Sequence, residues 1–158
     1  MDNPRSEFWD RLEDVTAGML GLGDGQLMPM SPQLRDADEG KIWFISATGN
    51  ALVKAVTTSP QPGRLVVTDE KEGLHADIKG NLFLSEEEDV IDDIWSSFAA
   101  AWFEDGKKDD DVRLLCFTPT SAEVWLTSDN PVKFFYEIAK ANLTDETPDV
   151  GWQGTITF

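Results

Sequence analysis

The sequence predicts a mostly β domain of the α+β or barrel type. Hydrophobic and polar residues alternate cleanly from Ala76 to Leu84, as they do in a half-buried antiparallel strand. The other strand patterns are short and are separated by turn residues, which suggests about six or seven strands in all. The helical patterns are few and fall between the strands. Short strands with helices inserted at turns are typical of a barrel or α+β domain.

The first helix is predicted near residues 4–15. Asn3 suits the N-cap position and Pro4 the first helical position, where its missing N–H costs nothing. Apolar residues then follow at helical spacing. They are Phe8, Leu12 and Val15.

A hairpin is predicted next, over residues 17–31. An apolar run at 17–22 precedes the turn residues Gly23-Asp24-Gly25, and an extended pattern follows. Pro29 lies in the second strand. Because proline has no N–H for a ladder, this strand is expected at a sheet edge or a bulge.

The middle of the chain predicts two strands and a short helix before the alternating strand. Residues 34–40 form a polar loop, and Ile42–Ile45 is apolar on both faces, which predicts a strand covered on both sides. A short helix is predicted over 51–57, opened by Gly49-Asn50. A further strand is predicted over 63–68.

The longest helix is predicted to begin at Ser85. Ser85 and Glu88 have the spacing of a capping box, and acidic residues in the first turns suit the helix dipole. One apolar stripe is expected to face the core. Its members are Ile91, Ile94, Trp95, Phe98 and Trp102.

The last part of the chain predicts a hairpin, a helix and a tail. Strands over 112–118 and 122–127 are expected to form a closing hairpin around Pro119-Thr120-Ser121. A helix follows from Pro131 to Ala141, and the tail at 142–158 ends in a strand-like segment. The length of 158 residues argues for one domain over 1–158, with a core at about 8–141.

The charge balance excludes several classes of partner. Thirteen Lys and Arg against thirty Asp and Glu give a net charge of −17. Such a surface repels phosphate backbones and anionic headgroups, so we expect neither nucleic acid nor a membrane as partner. No apolar run approaches the ~20 residues of a membrane span, and the N-terminus lacks a signal peptide pattern. A cytoplasmic location is therefore expected.

Metal and nucleophile chemistry find little support. One cysteine, Cys116, and one histidine, His75, exclude an internal disulfide and any site with two histidines. The segment 85–111 holds eleven acidic residues but fits no calcium loop, so a solvated surface is expected and no metal. His75 is either a general base or a structural side chain. Cys116 is expected in the core.

Two features could hold a ligand. Helix N–H groups after Gly49-Asn50 and the ammonium of Lys54 together suit an anion, although Lys54 is more simply explained as a surface charge. The second feature is a surplus of aromatic side chains, some of which could face a planar ligand or a partner subunit. They are Trp43, Trp95, Trp102, Phe103 and Trp125.

Several motifs in order resemble one family. These are Pro29-Met30, Ile42-Trp43-Phe44-Ile45-Ser46, Ile91-Asp92-Asp93-Ile94-Trp95, Ala101-Trp102-Phe103-Glu104-Asp105-Gly106 followed by Asp109-Asp110, and Leu114-Leu115 with Ala122-Glu123-Val124-Trp125. From about Phe8 to Ile138 the chain resembles the FMN-binding split-barrel proteins, specifically the general stress proteins related to pyridoxamine 5'-phosphate oxidase.

The resemblance implies a six-stranded antiparallel split β-barrel with peripheral helices, forming a homodimer with flavin sites between the subunits. FMN would lie along the second and third strands, its phosphate near the Gly49-to-Lys54 turn, with aromatic side chains flanking the ring. The implied cofactor-binding residues are Met28, Pro29, Met30, Phe44, Ile45, Ser46, Ala47, Lys54, Trp102 and Phe103.

Two departures from the family pattern concern charge. Met28 stands where the family has the arginine of an R-P-M motif, and Lys54 lies further from the W-F strand than the family's phosphate lysine.

The resemblance as a whole predicts a flavin-binding general stress-type protein that, if it is an enzyme, transfers electrons between reduced flavin and a small acceptor. No catalytic residue is assigned. The alternatives are a cofactor-free binding or stress-scaffold module, and a reductase that uses a deazaflavin.

Overall fold

The computed structural model describes residues 3–36, 38–127, 131–145, 147 and 151–158. Along the chain, these residues form α1 (Pro4–Leu12), β1 (Gly18–Leu22), β2 (Met28–Met30), β3 (Ile42–Ala47), α2 (Ala51–Val56), β4 (Gln61–Asp69), β5 (Leu74–Ser85), α3 (Glu88–Ile94), α4 (Ser97–Ala100), a 3₁₀ turn (Gly106–Lys108), β6 (Val112–Thr127), α5 (Pro131–Thr144) and β7 (Gly151–Thr157).

The strands form one antiparallel sheet that curls into a barrel. Its order is β2-β1-β4-β5-β6-β3, with β7 added on β6. A bridge between Gln33 and Trp43 joins the segment after β2 to β3, and so connects the two ends of the sheet. The predicted six-stranded antiparallel split barrel with peripheral helices is confirmed.

The closing hairpin predicted around Pro119-Thr120-Ser121 is wrong. Residues 112–127 form one long strand, β6, which pairs with β5 almost throughout. The first half of β6 also pairs with β3 and the second half with β7. One strand therefore supports three neighbours.

The residues of the predicted turn form a β-bulge instead. Lys79 pairs with Ser121 and Gly80 with Pro119, so Thr120 is an extra residue on β6. A bulge tolerates the missing N–H of Pro119. A Cβ at Gly80 would collide with the carbonyl oxygen of Thr118, so glycine is required opposite the bulge.

The main core fills the barrel and is closed by two helices. Phe8 and Leu12 of α1 are fully buried in it, and α2 adds Leu52, Val53 and Val56. A second, smaller cluster lies outside the barrel beneath α3. It consists of Trp43, Val90, Ile94, Leu114 and Cys116.

The strand β3 takes part in both clusters. Ile42 and Phe44 belong to the main core, whereas Trp43 belongs to the second cluster and Ile45 packs against it. The prediction of a strand covered on both faces is confirmed. The predicted place of Cys116 in the core is confirmed as well, since the residue is fully buried.

The predicted long helix from Ser85 is wrong in its start and its continuity. Ser85 is still paired with Leu114 in the sheet, so its hydroxyl bonds Glu87 locally and does not cap a helix. The helix α3 begins at Glu88 without a side-chain cap and stops at Trp95, which is extended. Ser96 then caps α4 through the N–H of Ala99.

The predicted apolar stripe is divided by this break. Ile94 is buried with α3, while Phe98 is 72% exposed and Trp102 is 75% exposed. The break turns the second half of the stripe away from the core, because the two short helices no longer share one axis. The aromatic residues Phe98 and Trp102 are thus left at the surface.

The remaining elements follow the predictions closely. Asn3 caps α1 through the N–H of Ser6, although α1 ends at Leu12 and not near residue 15. The hairpin of β1 and β2 is confirmed, and Pro29 lies on the edge strand. The strand-like end of the chain belongs to β7. Within the residues that the structure describes, no helix has the length and apolar character to cross a membrane.

Candidate functional site

The candidate site is the opening between the two end strands of the barrel, β2 and β3, which we call the split. Beyond the bridge between Gln33 and Trp43, the residues that the structure describes form no ladder between these strands. Continued pairing in that register would place Met30 opposite Ser46 and Pro29 opposite Ala47. The split therefore leaves backbone edges of two strands facing each other. Of the predicted cofactor-binding residues on β2 and β3, all except Phe44 and Ser46 are at least partly exposed.

Met28 and Asn50 connect β2 to the turn after β3. The side-chain nitrogen of Asn50 donates to the sulfur of Met28 over 3.3 Å. The oxygen of the same amide accepts from the N–H groups of Leu52 and Val53, at 2.8 and 3.4 Å, and so caps α2. Asn50 thus fixes the position of α2 and contacts one of the predicted cofactor residues.

The floor of the split is apolar. Met28 and Met30 are partly exposed and pack against the main core. The side chain of Phe44 lies within that core with no exposure, so only its backbone could contact a ligand in the split. Ile45 packs on the outer side beneath α3, and its side chain is directed to that cluster.

The end of β3 adds small side chains. Ser46 is 8% exposed and is the buried polar residue in this part of the strand, while Ala47 is partly exposed. Ser46 pairs with Arg113 on β6. The guanidinium of Arg113 donates through Nη1 to the carbonyl oxygens of Asp110 and Val112, each at 2.8 Å.

Carboxylates lie beside this end of the split. Asp111 accepts hydrogen bonds from the N–H and the hydroxyl of Thr48, which directly precedes the Gly49-Asn50 turn. Asp109 accepts from the N–H groups of Asp111 and Asp105, and these bonds lower the pKa of the Asp109 carboxyl group. Asp109 is therefore firmly anionic near neutral pH.

Lys54 lies on the exposed side of α2, in its last turn. Two of the first-turn N–H groups that the sequence pattern assigned to an anion, those of Leu52 and Val53, are taken by Asn50. Lys54 is consequently the cation of α2 that remains for a phosphate, and its charge is screened by solvent.

The two aromatic residues predicted beside a flavin ring differ in their surroundings. Phe103 is buried and packs on Trp95, with ring centroids 5.7 Å apart. Trp102 is 75% exposed and is free to contact another molecule. The structure thus groups the β2, β3 and α2 residues around the split, and places Trp102 and Phe103 on the separate segment after α4.

The residues of the split fit the ring of a flavin but do not fit the phosphate of FMN. An isoalloxazine ring needs an apolar surface and amide-like partners, which methionine side chains and strand edges provide. A phosphate needs cations or free N–H groups, and here two of the nearby amides are capped by Asn50 and the carboxylate of Asp111 flanks the turn. Within the described residues, no group of Asp, Glu, His and Cys side chains forms a metal site.

Sequence reasoning missed the contact of Asn50 with Met28 and the approach of Arg113 and Asp111 to this region. The contact between Asn50 and Met28 joins residues 22 positions apart, and no local pattern indicates it. Arg113 and Asp111 reach the site through the pairing of β3 with β6, which requires the sheet topology. The one indication in the sequence was Asn50 itself, since asparagine before an apolar helical pattern predicts an N-cap.

A curled antiparallel sheet with an open split and helices at its periphery defines a split-barrel protein. A family model described as pyridoxamine 5'-phosphate oxidase like matches residues 3–149. The chain therefore belongs to the pyridoxamine 5'-phosphate oxidase-like family. A comparison with curated protein sequences finds no match.

Solved structures extend this likeness. A candidate general stress protein 26 from Jannaschia sp. CCS1 is 53% identical over the whole of both chains, with a TM-score of 0.95. A general stress FMN/FAD binding protein from Xanthomonas citri is 30% identical over 77% of this chain and 87% of its own, with a TM-score of 0.69. A candidate general stress family protein from Xanthomonas campestris pv. campestris is 30% identical over 82% of this chain and 93% of its own, with a TM-score of 0.70.

Proposed function

We propose that this protein is a flavin-binding protein of the general stress type. The observation that carries the proposal is the split between β2 and β3, with its apolar floor and two facing strand edges. The flavin ring edge carries one N–H and two carbonyl groups, which match the hydrogen-bonding groups of strand backbone. The Xanthomonas citri protein, an FMN/FAD binding protein of the same fold at 30% identity, supports the same ligand class.

The residues of the split would bind and orient the ring. Met28 and Met30 offer apolar contact, and methionine adapts its shape to a planar partner. Ser46 and the β3 backbone offer polar contacts to the ring edge. A bound flavin would supply electron transfer to a small acceptor, while the protein supplies position and exclusion of water. No side chain is proposed as a catalytic acid or base.

FMN is the form of flavin that we propose, on the resemblance of the motifs. Lys54 would then face the phosphate from the exposed side of α2. Replacing Lys54 by Glu tests this, because charge reversal should weaken FMN several-fold and leave riboflavin unchanged. An exposed contact of this kind contributes up to ~1 kcal/mol.

A homodimer is the assembly that we propose. Phe98 and Trp102 are four positions apart and largely exposed, and a second copy would cover them. Trp102 of the partner subunit would then be able to approach the flavin of the first. The cytoplasmic location expected from the sequence stays a prediction.

The visible absorption spectrum tests the proposal directly. Purified protein should carry, or take up on addition of FMN, the two absorption bands of a flavin, and should quench flavin fluorescence. Protein that stays colourless and leaves the fluorescence of FMN and riboflavin unchanged would support the cofactor-free module instead. The cofactor-free alternative is favoured by the presence of Met28 where the family has a cationic residue.

A further inference from the structure

The split has an asymmetry of charge that bears on which part of a flavin it recognises. Its floor is apolar along β2, whereas its end beside α2 is lined by Met28, Asn50 and the pair of Thr48 and Asp111. These four side chains are neutral or anionic. A ligand that carries a dianionic phosphate there meets no buried cation, among the described residues, to compensate for its desolvation.

Two of the amides that could replace a cation are occupied. Asn50 accepts from the N–H groups of Leu52 and Val53, and the N–H of Lys54 bonds to the carbonyl of Asn50. The helix α2 has only six residues, so its dipole adds little. The cap of α2 therefore leaves an anion fewer N–H donors at the start of this helix.

Two cationic side chains, those of Lys54 and Arg113, are candidates to bind a phosphate at this end of the split. Lys54 is exposed on the last turn of α2, and its interaction with an anion is weakened by solvent and salt. Arg113, which pairs with Ser46, already donates through Nη1 to Asp110 and Val112. Against them stand the carboxylates of Asp109 and Asp111 and a net charge of −17 on the whole chain.

We infer that the split recognises the ring and neutral chain of the flavin and gains little from the phosphate, with Met28 as the residue that sets this specificity. The inference rests on the proposed function. It predicts a site that accepts riboflavin almost as well as FMN. It also predicts that added salt strengthens FMN binding, since salt screens a net repulsion, whereas a phosphate held by cations would bind more weakly in salt.

The test is a pair of titrations of the purified protein, one with riboflavin and one with FMN, followed by quenching of flavin fluorescence. We expect dissociation constants within about tenfold of each other, a difference of less than ~1.4 kcal/mol. Raising the ionic strength from low to physiological should tighten FMN and leave riboflavin unchanged. FMN binding that is more than about tenfold tighter, and is weakened by salt, would overturn the inference while leaving the proposed function intact.

Variants at residue 28 test whether Met28 causes the weak discrimination between FMN and riboflavin. Met28→Arg should raise the ratio of FMN affinity to riboflavin affinity about tenfold, because a new charge-assisted contact reaches the phosphate. Met28→Leu is the matched control: it removes the contact with Asn50 without adding charge, and should keep the ratio of FMN to riboflavin affinity. If the ratio of FMN affinity to riboflavin affinity is unchanged in Met28→Arg, residue 28 does not lie near the phosphate. Its assignment as the residue that sets the specificity would then be overturned.

The remaining outcomes are also decisive. If FMN is strongly preferred and Arg113→Gln abolishes the preference, then Arg113 binds the phosphate and the inference is wrong. If neither flavin binds to the native protein, the proposed function fails and the inference with it. Because the comparison of riboflavin with FMN uses unmodified protein, it stands even if a variant does not fold.

Discussion

Arg35 donates from Nη1 to a carboxylate oxygen of Asp93 at 2.7 Å, and so ties the loop before β3 to α3. Its Nε also donates to Asp38, which accepts a further hydrogen bond from the indole of Trp43 at 3.0 Å. Both partners of the Arg35–Asp38 pair are nearly covered, with side chains 13% and 12% exposed. This network holds α3 over the second hydrophobic cluster.

We expect Arg35→Ala to lower the Tm by several degrees, because it leaves the nearly covered Asp38 carboxylate without its guanidinium partner. Thermal unfolding followed by circular dichroism measures the change. Lys107→Ala is the matched control, since Lys107 pairs with Asp92 in a more exposed position, at 44% and 58% exposure. Equal losses in the two variants would show that Arg35 has no special role.

The same network predicts a loss of stability in acid. The hydrogen bond from Arg35, with that from Trp43, lowers the pKa of the Asp38 carboxyl in the folded protein. A lowered folded pKa means that the unfolded chain binds the proton more readily. The contribution is therefore complete above the unfolded value, about 3.9, and is lost as the pH falls below it.

Urea unfolding between neutral pH and about pH 3, below the unfolded pKa of an aspartate, checks this dependence. The Asp38→Asn variant should be less stable at neutral pH and should lose less on acidification than the unmodified protein. Parallel curves for the two proteins would mean that other carboxylates account for the acid dependence.

Helix caps give a third prediction. Asn3 accepts from the N–H of Ser6 at the start of α1, so Asn3→Ala should lower the free energy of unfolding by about 1 kcal/mol. Ser85→Ala should cost less, because Ser85 ends β5 and caps no helix. Chemical denaturation of both variants measures the two free energies of unfolding. A larger loss of stability in Ser85→Ala than in Asn3→Ala would place the start of the helix where the capping-box pattern predicts it.

The exposed aromatic pair of the α4 segment gives a fourth prediction. In a homodimer, Phe98→Asp should shift the mass measured by light scattering from roughly twice 17.6 kDa towards 17.6 kDa. Ala100→Asp adds the same charge two positions along the same short helix, away from the aromatic side, and should leave the mass unchanged. A monomeric unmodified protein at micromolar concentration would contradict the proposed assembly.

Cys116 gives a fifth prediction, about reactivity. Burial raises the pKa of its thiol to about 12, and the residue has no exposure to solvent. Iodoacetamide at mildly alkaline pH should therefore leave the native protein unlabelled and modify it after unfolding in guanidinium. The mass of the protein after each treatment measures this. Rapid labelling of native protein would show that β6 opens readily.

The features that were predicted correctly depend on local chemistry. The cap at Asn3, the alternation in β5 and the edge position of Pro29 each follow from a few neighbouring residues. The family resemblance added the six-stranded antiparallel split barrel with its peripheral helices. What it could not add was the network around Asn50, because that depends on side chains distant in sequence.

The two wrong predictions have a common physical cause. Pro119-Thr120-Ser121 is typical of a turn, and Ser85 with Glu88 is typical of a capping box. In both places the ladder between β5 and β6 prevails over the local preference. Many backbone hydrogen bonds along that ladder outweigh one turn or one cap, and a pattern of four residues does not reveal them.

The long strand β6 also sets the order in which the barrel can be completed during synthesis. Its residues follow β3 by more than sixty positions along the chain, and β6 is the ladder partner of β3. A nascent chain on the ribosome therefore carries β3, apolar on both faces, for the whole time needed to make the intervening segments. Exposed apolar strands of this kind are sites of aggregation. The period before β6 emerges is accordingly when the nascent chain is most exposed to aggregation.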